Sequence, residues 1–222
     1  MTETDDAFKK MDRMYRLQRH FYDLSRRYYL LGRDELLDQM AVRPGERVLE
    51  AGCGTARNII KLARRHRDAS FYGLDASSAM LATARAKIDP ADLTNVEVTT
   101  ALADTFTHES TFGLDQPFDR IFFSFSISMI PPWRESLENA IANLRAGGRL
   151  YIVDFFDLGG LPRTCGRALW WWLNSFGVSR WDELIPFLKS LEARENVASV
   201  EVRPLFRGYS FIAEIALADP TI

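Results

Sequence analysis

The apolar pair Val48-Leu49 runs into Glu50 and then at once into Gly52 and Gly54, and no other stretch of these 222 residues restricts the fold so tightly. Residues 48 to 58 read as a strand, a glycine-bearing turn and the start of a helix. Glycine removes the side chain that would hold a nucleotide away from the backbone, so such a turn belongs to a nucleotide-binding βα unit. Periodicity on either side extends the unit. Strands are predicted at 47–50, 70–75, 95–100, 118–125 and 149–156, and helices at 55–67, 77–88 and 133–145. That alternation specifies a parallel sheet covered on both faces. Gly147-Gly148 is read as the helix stop before the fifth strand. Arg43-Pro44-Gly45 is read as the turn that separates an N-terminal helical cap, 1–43, from the sheet. After a helical insert at 158–195, Val197 to Pro204 and Gly208 to Leu217 read as a closing antiparallel pair. With 47% hydrophobic residues and a net charge of −2, the chain is expected to form one α/β domain spanning 1–222.

Two cysteines, Cys53 and Cys165, and three histidines, His20, His66 and His108, give neither a disulfide framework nor a metal-ligand spacing. No apolar stretch reaches the ~18 residues of a membrane span, and the opening residues lack the apolar core of a signal peptide. The expectation is a cytoplasmic protein with reduced thiols, without a metal or a nucleic-acid partner. Its oligomeric state is left open.

Glu50 bears on which nucleotide binds. A dinucleotide pyrophosphate lying over this turn would be repelled by a carboxylate there, whereas a cation would be attracted. S-adenosylmethionine (SAM) presents an ammonium and a sulfonium on one side and adenosine on the other. The Glu-x-Gly-x-Gly core resembles that of the class I SAM-dependent methyltransferases, with Ala56 where the third glycine usually stands. The resemblance implies a Rossmann-like, seven-stranded, mostly parallel sheet with one antiparallel strand. It places the methionyl half of SAM beside Glu50, Ala51, Gly52, Cys53 and Gly54. Asp75 ends the second strand about twenty residues on, where a ribose-binding carboxylate falls, and Ala76 and Met80 are expected beside it. The alternative for Asp75 is a cap on the helix that begins near Ser77. Ala103-Asp104-Thr105 resembles the adenine-binding segment, and Tyr22, Arg33, Ser124 and Phe125 complete the implied cofactor set. S-adenosylhomocysteine (SAH) would be the product.

Residues 8 to 31 have the pattern of one long helix. Tyr15, Tyr22 and Tyr29 recur every seven residues, and Lys9, Arg13, Arg16, His20 and Arg27 gather on the other side. Between residues 9 and 33 eight Lys or Arg face two acids. Such a helix either packs its aromatic face on the domain with a solvated basic face, or meets anionic lipid headgroups, a peripheral contact at the inner membrane face. Trp170-Trp171-Trp172 adds a second aromatic concentration. Helical neighbours point ~100° apart, so at least one indole should reach solvent, substrate, a membrane interface or a dimer partner.

The segment Met14 to Asp34, together with Phe125-Ser126-Ile127-Ser128-Met129-Ile130-Pro131, resembles the betaine-lipid N-methyltransferases, which methylate diacylglyceryl-homoserine. The resemblance implies three successive methyl transfers to the amine of a lipid headgroup. Methyl transfer from a sulfonium to an amine is an in-line displacement that depends chiefly on positioning. Tyr22 and Ser126 are the expected catalytic residues. Tyr22 would close over the methionyl end of SAM and Ser126 would orient the amine. Tyr15, Tyr28, Tyr29, Ser128 and Trp171 are expected against the substrate, since aromatic faces stabilise the ammonium that forms. Arg33 could pair with the carboxylate of SAM or of the headgroup. Two alternatives stay open: methylation of another lipophilic acceptor such as a quinone ring, and a noncatalytic SAM-binding module that docks on membranes.

Overall fold

The computed structural model describes residues 30–160 and 162–219. The expected helix over 8–31, with Tyr15, Tyr22, Tyr28 and Tyr29, lies outside the described residues except at its end. Within the cap, α1 (Arg33–Gln39) starts after Gly32, which takes φ +103° at the N-cap. Alternating elements follow: β1 (Arg47–Ala51), α2 (Arg57–Arg65), β2 (Ser70–Asp75), α3 (Ser78–Ile88), β3 (Val96–Thr100), α4 (His108–Phe112), β4 (Phe118–Ser124), α5 (Trp133–Ala142) and β5 (Leu144–Phe155). The insert supplies α6 (Arg163–Asn174) and α7 (Leu184–Ser190), and β6 (Val197–Leu205) and β7 (Ser210–Leu217) close the fold.

The seven strands stand in the order β3-β2-β1-β4-β5-β7-β6. β7 pairs antiparallel with both β5 and β6, and every other pairing is parallel. Strand order reverses between β1 and β4, and in open α/β sheets the crevice outside the carboxyl ends at such a reversal receives the ligand. The central strands are apolar on both faces because helices cover both. Neighbouring Phe122 and Phe123 are each fully buried, on opposite sides of the sheet. Val48, Ile59, Leu62 and Val153 pack with Phe122, whereas Leu49, Leu137, Ile152 and Phe211 pack with Phe123.

The structure corrects the expected helix stop at Gly147-Gly148. α5 ends earlier, at Ala142, and both glycines lie inside β5. Asn143 ends the helix through its amide, which donates to the carbonyls of Asn139 (3.0 Å) and Phe106 (3.3 Å) and accepts from the backbone N–H of His108 (2.9 Å). Gly147, at φ +72°, instead lets the strand turn where the register with β4 shifts between Phe118 and Arg120. At the amino ends of the strands a buried ion pair joins neighbours. Arg120 donates to both carboxylate oxygens of Glu46 (2.6 and 2.8 Å) and to the hydroxyl of Tyr151 (2.9 Å). No helix among the described residues is long and apolar enough to cross a membrane.

Candidate cofactor site

The turn after β1 sits at the reversal point. Gly52, Gly54 and Ala56 take φ of +77°, +55° and +60°, a left-handed backbone that side chains disfavour. At Gly52 glycine is also required by space, because a Cβ would lie 2.5 Å from that of Ser126. The N–H groups of Gly52 and Cys53 both donate to the carbonyl of Leu74, fastening the turn to β2. At Gly54 an added Cβ meets nothing within 4 Å, so that glycine opens onto free space.

Asp75 holds the turn from the other side. One carboxylate oxygen accepts from Gly54 N–H and the other from Ser77 N–H, both at 2.8 Å. The cap of α3 is Ser77, whose hydroxyl accepts from Met80 N–H. Asp75 therefore braces the glycine turn at the carboxyl end of β2. Met80 is buried behind this corner and Ala76 is half-buried. Past β3, Ala103 is buried with its carbonyl accepting from Asn139, Asp104 is half-buried and Thr105 is exposed.

Glu50 is 1% exposed. Its Oε1 accepts a 2.6 Å bond from the Asn58 side chain, and its Oε2 is buried with no hydrogen-bond partner among the described residues. Burial pushes its carboxyl up to about 8, with Asp75 adding to the rise and the Asn58 bond and the nearby Arg33 charge opposing it. An ammonium delivered to that free oxygen would meet both the missing bond and the missing charge. The residues present thus fit the methionyl end of SAM. Arg33, on α1, is buried and close enough for its charge to act on Glu50. Burial also pushes the Cys53 thiol well above its ordinary value, so this cysteine is a packing group.

On the neighbouring strand, β4 ends at Ser124, and Phe125 takes φ +53°, an outlier for a bulky residue. Its N–H donates to Val153, and its ring meets Phe155 edge-on at 4.8 Å. Phe155 in turn meets Tyr209 and Trp170. The Ser126 hydroxyl donates to the Ala51 carbonyl at 2.8 Å, which ties this loop to the glycine turn. The hydroxyls of Ser124 and Ser128 are buried with no hydrogen-bond partner among the described residues. Of the three tryptophans, Trp170 and Trp172 pack partly on the core, while Trp171 is 77% exposed. Asp154 escaped the sequence reading. It is buried in β5 and accepts from the N–H groups of Ser128 (2.9 Å) and Phe155 (2.8 Å), fixing the segment after β4. Its only signal is an acid inside an apolar strand.

The strand-order reversal, the glycine turn and the buried acid are similar in arrangement to those of the class I SAM-dependent methyltransferases. Residues 48–148 match the family described as a methyltransferase domain. Demethylmenaquinone methyltransferase of Bacillus mycoides is 28% identical over 67% of this chain and 60% of its own length. The Listeria welshimeri protein of that name is 31% identical over 69% of this chain and 65% of its length. The chain thus spans just under two thirds of these relatives. Among solved structures, a SAM-dependent methyltransferase from Aquifex aeolicus covers 98% of this chain and 100% of its own, with a TM-score of 0.60 at 19% identity. A Streptococcus mutans methyltransferase in complex with SAH covers 84% of this chain and 96% of its own, with a TM-score of 0.57 at 17% identity. At such identities these two share the fold.

Proposed function

We propose that the protein transfers methyl groups from SAM to the amine of a lipid headgroup, diacylglyceryl-homoserine, in three successive steps. The observation that carries this reading is the segment Ser124 to Ser128. It offers two buried hydroxyls in need of a partner beside the Phe125–Phe155 aromatic pair. Burying a hydroxyl without a partner costs about 1–3 kcal/mol, so a polar acceptor group that meets one is favoured. In each step the neutral amine attacks the sulfonium methyl, the carbon–sulfur bond breaks, and sulfur leaves as the thioether of SAH. A proton returns to solvent before the next attack, and after the third transfer nitrogen keeps its charge. Aromatic faces suit that product. On this reading Glu50 holds the SAM ammonium, Asp75 the ribose hydroxyls and Arg33 a carboxylate. The resemblance of residues 14–34 and 125–131 to the betaine-lipid family supports the acceptor. Tyr22, Tyr15, Tyr28 and Tyr29 keep their expected roles as proposals.

A second reading has its own support. The curated relatives cited above are named for methylating demethylmenaquinone, which favours a quinone ring as acceptor. Incubating the protein with SAM and each lipid in turn, followed by mass spectrometry, decides between them. Trimethylated homoserine lipid is the expected product. Methylation of the quinone alone would replace the first reading with the second, and SAM binding without any product would leave a noncatalytic module.

A further inference from the structure

Three large apolar side chains are exposed among the described residues: Leu31, Trp171 and Phe206. They stand on elements that the fold ties to one another. Leu31 and Phe206 line the same cleft of about 520 Å³, beside α1. The turn that carries Phe206 is laced to the loop entering α6, with Gly160 N–H donating to Arg207 (3.1 Å) and Leu158 N–H to Gly208 (2.8 Å). α6 rests on that loop through Gly166 and Leu158 and on β5 through Trp170 and Phe155. Its outer face then presents Arg167 and, one turn on, Trp171. The turn itself is strained. Phe206 and Arg207 have φ of +48° and +58°, a backbone state non-glycine residues rarely take, and it leaves the Phe206 ring half in solvent.

Charge points to what covers these side chains. Arg167 and Arg207 are exposed and make no ion pair among the described residues, whereas nearby Arg203 and Arg57 are paired with Glu35 and Asp34. The acid of the connecting loop, Asp157, accepts from Gly159 N–H. Exposed aromatics flanked by unpaired guanidinium groups complement the interface of an anionic bilayer, where indole and phenyl rings lie at headgroup depth.

We propose that the outer face of α6 and the β6–β7 turn dock the protein on an anionic lipid surface. The proposal extends the lipid-acceptor reading, and its test needs no acceptor. The full chain is floated with vesicles of phosphatidylcholine alone or with added phosphatidylglycerol. Wild type should bind the anionic vesicles preferentially and lose binding in high salt. Trp171→Ser with Phe206→Ser, and separately Arg167→Glu with Arg207→Glu, should each weaken binding about tenfold, with the circular dichroism of the folded chain unchanged. Equal binding to both vesicle types overturns the proposal. So does wild-type binding by both double variants, which would assign docking to residues 1–29. Failure here leaves the methyl-transfer reading standing, and a protein that docks but methylates no lipid would fail that reading alone.

Discussion

At the scale of the residue, Gly52 is held both by its backbone and by its neighbour. Gly52→Ala combines a left-handed backbone cost of about 1–2 kcal/mol with a Cβ driven into Ser126. Denaturant unfolding should show a loss of roughly 2–4 kcal/mol, and SAM titration should show little binding. Glu50 makes a prediction in pH. Its folded-state carboxyl lies near 8, raised by burial above the ordinary 4.5. The unfolded chain therefore loses this proton first as pH rises. The group's contribution to stability is complete below about pH 4.5, declines above it, and is lost as pH passes through about 8. Glu50→Gln should flatten that decline in the protein without ligand. A SAM ammonium favours the carboxylate, so SAM affinity should rise from pH 6 to 8 with proton release, measured by calorimetry in buffers of different ionisation heat. A pH-independent affinity would remove Glu50 from the ammonium's surroundings. That Glu50, Gly52 and Asp75 would meet at one turn was legible, because the spacing along the β1–α2–β2 unit brings the carboxyl ends of the two strands together. Asp154 was not, since the long-range bond it accepts comes from the N–H of Ser128, on a segment before β5 that only the sheet brings near.

At the scale of the element, β1 and β4 are joined at opposite ends by different means: the Ser126–Ala51 bond at the carboxyl end and the Glu46–Arg120 pair at the amino end. Removing one member of a buried pair strands the other charge. Glu46→Ala should cost about 3–5 kcal/mol by denaturant unfolding, whereas Glu46→Leu with Arg120→Leu should cost far less. Equal losses in the two would mean that the pair itself supplies the stability. Strand and helix order could be read from periodicity because the central strands are continuous apolar runs. The end of α5 could not. Asn143 stops the helix through tertiary bonds to Phe106 and His108, and the nearby Gly147-Gly148 carries the stronger local signal for a different event, the irregularity in β5. α4 is five residues long and is stabilised by Thr107 and Asn143, too short for periodicity to register.

At the scale of the whole molecule, one cofactor site tied to α1, β1, β2 and β4 should couple ligand to global stability. SAM at about a hundred times its dissociation constant should stabilise the fold by about 2.7 kcal/mol, raising Tm by roughly 5–10 °C for a chain of this size. Asp75→Ala, which frees Gly54, should abolish most of that rise in a thermal scan. An undiminished rise would mean that SAM binds elsewhere.

The position of β7 between β5 and β6 has a consequence for synthesis on the ribosome. β6 is made before the strand it pairs with, and the apolar edge of β5, with Leu150, Ile152 and Val153, waits from Phe155 until Ser210 has emerged. At roughly 5–20 residues per second that edge stays open for several seconds on every nascent chain. During that interval the half-built sheet is a template for another chain's strand. Yield in the cell should thus depend on how quickly translation passes from β5 to β7, and on the chaperones that shield the gap.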